Sequence, residues 1–206
     1  MTGPSNKAGG FTLVEMAVVM LIMGFLFTGL FSSISGWLEN RRYSDTRQQM
    51  EAIEDALIGY AIANNGGLPA ADSDEDGVAD PGVGRGELPW KTLGLDKSSR
   101  FDAWQHPFVY HVDAAYRDIA PALPPDTVSG LRVVDLSGQS LTANNPEAPI
   151  FVLVSYGKNG AGDGDNGNAN VVYTSNITMS GFDDEVRWFS RYLLLGKLVD
   201  AGIWPQ

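Results

Sequence analysis

The stretch that decides the fold reads "GGFTLVEMAVVMLIMGFLFTGLFSSI", from Gly9 to Ile34, and between Phe11 and Ile34 its only charged residue is Glu15. Such a run supplies the roughly 20 apolar residues that a helix needs to cross a bilayer of about 30 Å. A secretory signal would have a shorter apolar region, about 7 to 15 residues, followed by a small-residue cleavage site. Here the small residues Ala8, Gly9 and Gly10 precede the run. A cut after Gly10 would therefore remove a polar leader, leave the hydrophobic helix on the product and make Phe11 its new amino terminus. The residues alone leave two readings open, a plain anchor and an anchor that is first processed.

Glu15 bears on that choice. An ionised side chain inside a membrane helix costs about 2.5 to 3.5 kcal/mol on insertion scales and usually marks a functional site or has a partner. Cleavage after Gly10 would create a partner, the free amine of Phe11, at i, i+4 on a helix. A unit charge pair at 4 Å is worth about 4 kcal/mol at an effective dielectric of 20, comparable with the insertion cost. The spacing permits pairing with the chain's own amine or with that of a neighbouring copy.

Gly10, Phe11, Thr12, Leu13 and Glu15, followed by the unbroken apolar run, resemble the type IV prepilin signal. The resemblance implies that a prepilin peptidase cuts after Gly10, that Phe11 becomes N-methylated, and that Glu15 acts in assembly. It also implies a single pass through a bacterial inner membrane with a periplasmic head. An inner-membrane assembly platform would then build the chain into a periplasmic or surface filament, alone or with other pilin-like subunits. The charge distribution runs against this topology: Lys7 is the one basic side chain of the leader, while Arg41 and Arg42 follow the span, contrary to the positive-inside tendency. Their distance past Ile34 weakens the objection.

Beyond the span, Tyr43, Met50, Ile53, Leu57 and Tyr60 recur at helical spacing with polar residues between them, one apolar stripe on a helix. No proline interrupts residues 11 to 64, so span and stripe are expected to form one rod of roughly 80 Å at 1.5 Å per residue. Asn64, Asn65, Gly66 and Gly67 supply its stop. The expected division is a leader over 1–10, a membrane or filament-core helix over 11–34, an amphipathic continuation over 35–65 and a globular head over 66–206.

The head contains short β-type runs, "FVYHV" at 108–112, "LRVVD" at 131–135, "IFVLVSY" at 150–156 and "NVVYT" at 170–174. They predict a small antiparallel sheet on the amphipathic helix, an α+β fold. The tail from Asp183 to Pro205 predicts a second helix, with Asp183 as N-cap, Asp184 and Glu185 in the first turn, Val186, Phe189, Leu193 and Leu194 on its buried side, and Gly202 and Pro205 ending it. Trp188 and Tyr192 are expected in the core or at its rim, the alternative being a patch for a neighbouring subunit.

A second resemblance lies in the head. "FDAWQHPFVYHV" is similar to the Asp-Pro-Trp-Gly-x-Pro-x-x-Tyr segment of the major pseudopilins of type II secretion through Asp102, Trp104, Pro107 and Tyr110, and departs from it at Ala103 and Gln105. "VSYGKNGAGDGDNGNANVV" is similar to the strand, Gly-rich turn and acidic loop of those proteins, and the family's loop binds calcium. The run around Pro121 to Pro149 and the acidic tail have no counterpart there.

Acidic residues dominate, 25 against 14 basic ones for a net charge of −11, which disfavours nucleic acid and favours cations. In "DSDEDGVAD", Asp72, Asp74 and Asp76 alternate and are followed by Gly77 and Asp80, a pattern that converges carboxylate oxygens on calcium. Val83 stands where an EF-hand would need its final acid. A calcium loop and a solvated acidic loop both fit. The same two readings stand for Asp163 and Asp165 in the second loop, where the family resemblance implies calcium.

No catalytic constellation is visible. His106 and His111 lack a third ligand or an HExxH pattern, Ser155 lacks a G-x-S-x-G elbow, and "GAGDGDNG" carries no phosphate-binding lysine. With no cysteines, thiolate sites and disulfides are excluded. Many true pilins carry a carboxyl-terminal cysteine pair, so its absence favours a pseudopilin of type II secretion. The alternative is a minor or tip pilin whose head binds a surface, a substrate or DNA. A non-enzymatic subunit is expected in either case.

Overall fold

The computed structural model describes residues 10–118, 129–142, 147–175 and 181–203, with the side chains of 28–34 outside the description. The expected leader, apart from Gly10, and Pro205 lie outside these residues, as do 121–128 and 143–146 of the run that has no family counterpart. The chain divides into two compact units, Met1–Arg41 and Arg42–Gln206.

One helix, α1, runs from Leu13 to Ala63. In the first unit its described apolar side chains from Leu13 to Phe27 are exposed around the helix, a surface suited to lipid or to other apolar helices. Among the described residues no helix is long and apolar enough to cross a membrane. The side chains of 28–34, which complete the apolar run, are outside that description.

In the second unit the predicted stripe is the buried face of α1. Met50, Ile53 and Leu57 are buried, together with Ile58 and Ala61. The predicted stop also holds: the Gly66 N–H donates to the Ala61 carbonyl at 2.7 Å, and Gly66 takes φ +91°, a left-handed conformation that glycine adopts at no steric cost.

Six strands follow: β1 (Arg85–Glu87), β2 (Val109–Val112), β3 (Arg132–Val134), β4 (Pro149–Ser155), β5 (Val172–Thr174) and β6 (Glu185–Ser190). A second helix, α2, covers Arg191–Asp200. β1, β2, β4 and β6 form an antiparallel sheet in that order, whereas β3 and β5 pair in parallel as a separate ribbon. The four β-type runs of the sequence thus become β2, β3, β4 and β5. β4 is buried at every position because both faces are covered. Ile150, Phe151 and Leu153 join the core beneath α1, while Val152 and Val154 pack with Leu131, Val133 and Tyr173 of the ribbon. Double coverage is why this strand reads as a continuous apolar run.

The tail departs from expectation. Residues 185–190, predicted as helix, are strand β6, paired antiparallel with β4 from Ser155↔Glu185 to Phe151↔Phe189. Alternation explains the outcome: Phe189 stacks on Phe151 with ring centroids 5.6 Å apart, whereas Val186 and Trp188 pack against the ribbon cluster. The spacing Val186, Phe189, Leu193 imitates a helical face, but Val, Trp and Phe favour strand and β4 needs a partner on that side. Asp183 is consequently no N-cap; Ser190 holds that position of α2. Leu194 and Leu198 are buried, and Leu193, expected inside, is 56 % exposed. The end at Gly202 is as predicted, with the Ile203 N–H donating to the Leu198 carbonyl. The strand β1, Arg-Gly-Glu, carries no apolar signal in the sequence.

Two ion pairs tie β6 to α1. Arg47 reaches Glu185 at 2.6 Å, and Glu54 pairs with Arg187.

Candidate functional sites

The helix start is built from the residues singled out in the sequence. Gly10 and Phe11 are exposed and precede α1, whose first residue is Leu13. Thr12 stands at the N-cap, and its Oγ1 accepts the backbone N–H of Glu15 at 3.2 Å. Glu15 therefore occupies the third helical position of a Thr-x-x-Glu sequence, the pattern of a capping box, and its charge lies in the first turn, where the helix dipole favours an anion. The pattern was present in the sequence and gives Glu15 a local reason beside the charge pairing inferred from spacing. In the uncleaved chain Phe11 lies ahead of the helix.

The first acidic loop is self-supporting. Asp72 is buried, and its Oδ1 accepts the N–H groups of Asp74 and Glu75 while Oδ2 accepts that of Gly77. Ser73 donates to Asp80 through both N–H and Oγ, which holds the Asp80 carboxyl below the usual range. Paired backbone bonds between Asp72 and Glu87 fix the loop to β1. Asp72, Asp74 and Asp80 converge closely enough to hold a metal ion. Asp76 is outside this group; its Oδ1 accepts the Val78 N–H at 2.7 Å.

The second cluster has a different composition from the one expected. Asp163 converges with Asp183 and Asp184, their ligand atoms lying within 4.8 Å of one another, and this group too could hold a metal ion. Asp165 is outside it and accepts a bond from Asn168 Nδ2 at 3.2 Å. Asp183 and Asp184 come from the segment leading into β6; the helical reading of the tail concealed them by placing them at a helix start.

Hydrogen bonds fix the geometry of this cluster. The Asp163 N–H donates to Asp184 Oδ2 at 2.8 Å, and the Asp183 N–H donates to Asp163 Oδ2 at 2.9 Å. Asn166 Nδ2 also donates to Asp184 Oδ2, and Asn159 donates to both oxygens of Asp183. Asp184 is only 6 % exposed, and its Oδ1 is enclosed with no hydrogen-bond partner among the described residues. Burial, reinforced by the neighbouring Asp163 and Asp183 carboxylates, pushes the Asp184 carboxyl up to about 7 against the Asn166 and Asp163 hydrogen bonds that lower it. Burial raises Asp183 as well.

A third network holds the "FDAWQHP" turn. Buried Asp102 accepts the N–H groups of Trp104 and His106 on Oδ1, and Ser155 Oγ donates to its Oδ2 at 2.6 Å. His106 Nδ1 lies 2.8 Å from the Gly157 carbonyl, and Trp104 meets Tyr43 of α1 edge-on at 4.7 Å. The Ser, Asp and His are thus committed to holding a turn against β4 and α1. Gln105 takes φ +70°, a left-handed backbone conformation that glycine adopts more readily. His111 is turned to Tyr173, with Nδ1 2.7 Å from the hydroxyl.

Among known proteins, the chain matches the family model of the prokaryotic N-terminal methylation motif over residues 5–31. No curated protein and no solved structure matches it. The chain therefore carries a prepilin-type methylation motif, and it joins that motif to a head of the α+β class.

Proposed function

We propose that this chain is a subunit of a type IV pilus-like filament, most closely a pseudopilin of a type II secretion system. In this reading a prepilin peptidase cuts after Gly10 and N-methylates Phe11. Assembly through α1 at an inner-membrane platform follows, with other copies or other pilin-like subunits. The observation that carries the reading is the methylation motif at residues 5–31 running directly into the capped, continuous helix Leu13–Ala63. The division into a leader over 1–10, a lipid or filament-core segment over 11–34, an amphipathic segment over 35–65 and a head over 66–206 belongs to the same proposal. The head would act structurally rather than as an enzyme, in keeping with Ser155 and His106 being engaged in a turn.

For the acidic groups we propose calcium. Their donors are carboxylate oxygens, which suit a hard cation that takes six to eight oxygen ligands.

The alternative, a minor or tip pilin, draws on the exposed Tyr192, Leu193 and Val199 of α2, an apolar face that could meet a neighbour or a surface. Filament shearing separates the two. Recovery at high copy in sheared filaments supports a major subunit, and a requirement for a few copies in initiation supports a minor one. A chain absent from filaments and unnecessary for making them would contradict both.

A further inference from the structure

Just past its apolar run α1 carries Trp37, 61 % exposed, and then Arg41 and Arg42, the one place in this acidic chain where two basic residues are adjacent. Trp37 and Arg41 stand at i, i+4 in the same compact unit, and the Arg41 guanidinium lies over the Trp37 ring, 5.6 Å from its centroid. Stacking occupies the face of the guanidinium. Its edge N–H groups stay in the plane, where they can meet an anionic partner.

The pair stands at a definite height along the helix. From Glu15 to Trp37 α1 rises about 33 Å at 1.5 Å per residue, close to the roughly 30 Å hydrocarbon thickness of a bilayer. With Glu15 at one face of the hydrocarbon, Trp37 falls at the other, the level at which tryptophan collects in membrane proteins. Arg41, about 6 Å further on, falls among the lipid phosphates.

We propose that Trp37 and Arg41 form a headgroup site for an anionic phospholipid, in which the Trp37 ring lies at the hydrocarbon boundary and the edge of Arg41 donates to the lipid phosphate. Phosphatidylglycerol suits this site better than phosphatidylcholine, whose own cation competes with Arg41 for the phosphate. The site fixes the depth at which the unassembled subunit waits in the bilayer. It also gives Arg41 a partner on the side of the membrane where basic residues are otherwise scarce. The inference rests on the membrane reading of α1 given above and adds its lipid partner.

The test uses the full chain in vesicles of mixed phosphatidylcholine and phosphatidylglycerol, with flotation to establish whether the chain is in the bilayer. Tryptophan emission is quenched by a spin label on the lipid headgroup or at the end of the acyl chain, and the share of Trp37 is the difference from Trp37→Phe. The headgroup label is expected to quench that share more strongly. Native mass spectrometry then counts the lipid retained. The wild type is expected to prefer phosphatidylglycerol by about fivefold, the scale of one basic residue against an anionic surface. Arg41→Gln is expected to lose that preference and Arg42→Gln to keep most of it. All three residues are exposed, so the replacements spare the packing of the head. A chain that floats but whose Trp37 is quenched mainly from the acyl-chain end, or whose lipid preference is unchanged in Arg41→Gln, would overturn the inference and leave the membrane reading intact. An equal loss in Arg42→Gln would also overturn it, putting general charge attraction in place of a site. A chain that does not float would overturn both readings.

Discussion

Ser155 at the end of β4 donates its hydroxyl to Asp102 Oδ2 at 2.6 Å, joining the central strand to the turn that meets α1. The same carboxylate accepts two backbone N–H groups through Oδ1. Asp102→Ala strands these three donors in a buried site and is expected to cost about 3 kcal/mol. Urea unfolding reads this as a lower midpoint with an unchanged slope. A cost below about 1 kcal/mol would show that the turn is held by other contacts.

Gln105 sits at φ +70°, a region that costs an L side chain roughly 1–2 kcal/mol. Gln105→Gly relieves that strain and gives back about 0.4–1 kcal/mol through a freer unfolded chain. The net expectation is a stabilisation of up to about 1.5 kcal/mol, seen as a higher urea midpoint. Destabilisation would mean that the side chain contributes more than its conformation costs.

The revised tail separates two adjacent leucines. Leu194 is buried beneath the sheet and Leu193 is exposed, so Leu194→Ala should cost about 2–5 kcal/mol and Leu193→Ala within about 0.5 kcal/mol of nothing. Thermal unfolding of the two variants distinguishes this register from the long tail helix, which would bury both.

His111 gives the head a pH dependence. Burial, with Arg85 and Arg117 nearby and only partly offset by Asp113, lowers its pKa to about 4, from about 6.5 in the unfolded chain. Between these values the unfolded state binds more protons. Stability from this residue is therefore present above about pH 6.5 and is lost as pH falls towards 4. Melting temperatures at pH 7 and pH 5 should differ less in His111→Gln, which can still bond to Tyr173, than in the wild type. Equal differences in the two proteins would remove His111 as the cause.

The helix and its buried stripe were legible because Met50, Ile53 and Leu57 repeat at one face and Gly66 offers a left-handed stop. β4 was legible from its apolar run. β6 was not, because Val186, Phe189 and Leu193 satisfy helical spacing, and what decides the matter is β4, more than thirty positions away in the pairing Val152↔Trp188. The same misreading hid two of the three members of the second acidic cluster. Asp163 could be picked out as a loop acid, but only the β6 register brings Asp183 and Asp184 to it. β1 is three residues, Arg85–Glu87, recruited by backbone pairing to β2 and without a pattern of its own. At the amino terminus the reverse held, since Gly10, Phe11, Thr12 and Glu15 carry the signal locally.

The central claim is that processing after Gly10 prepares α1 for assembly. It is tested most directly by intact-mass and amino-terminal peptide mass spectrometry of the chain recovered from membranes of cells with an active prepilin peptidase. The account predicts a mature chain beginning at Phe11 and carrying one amino-terminal methyl group, with the ten-residue leader gone. A chain that retains Met1 through Gly10 under those conditions would contradict it.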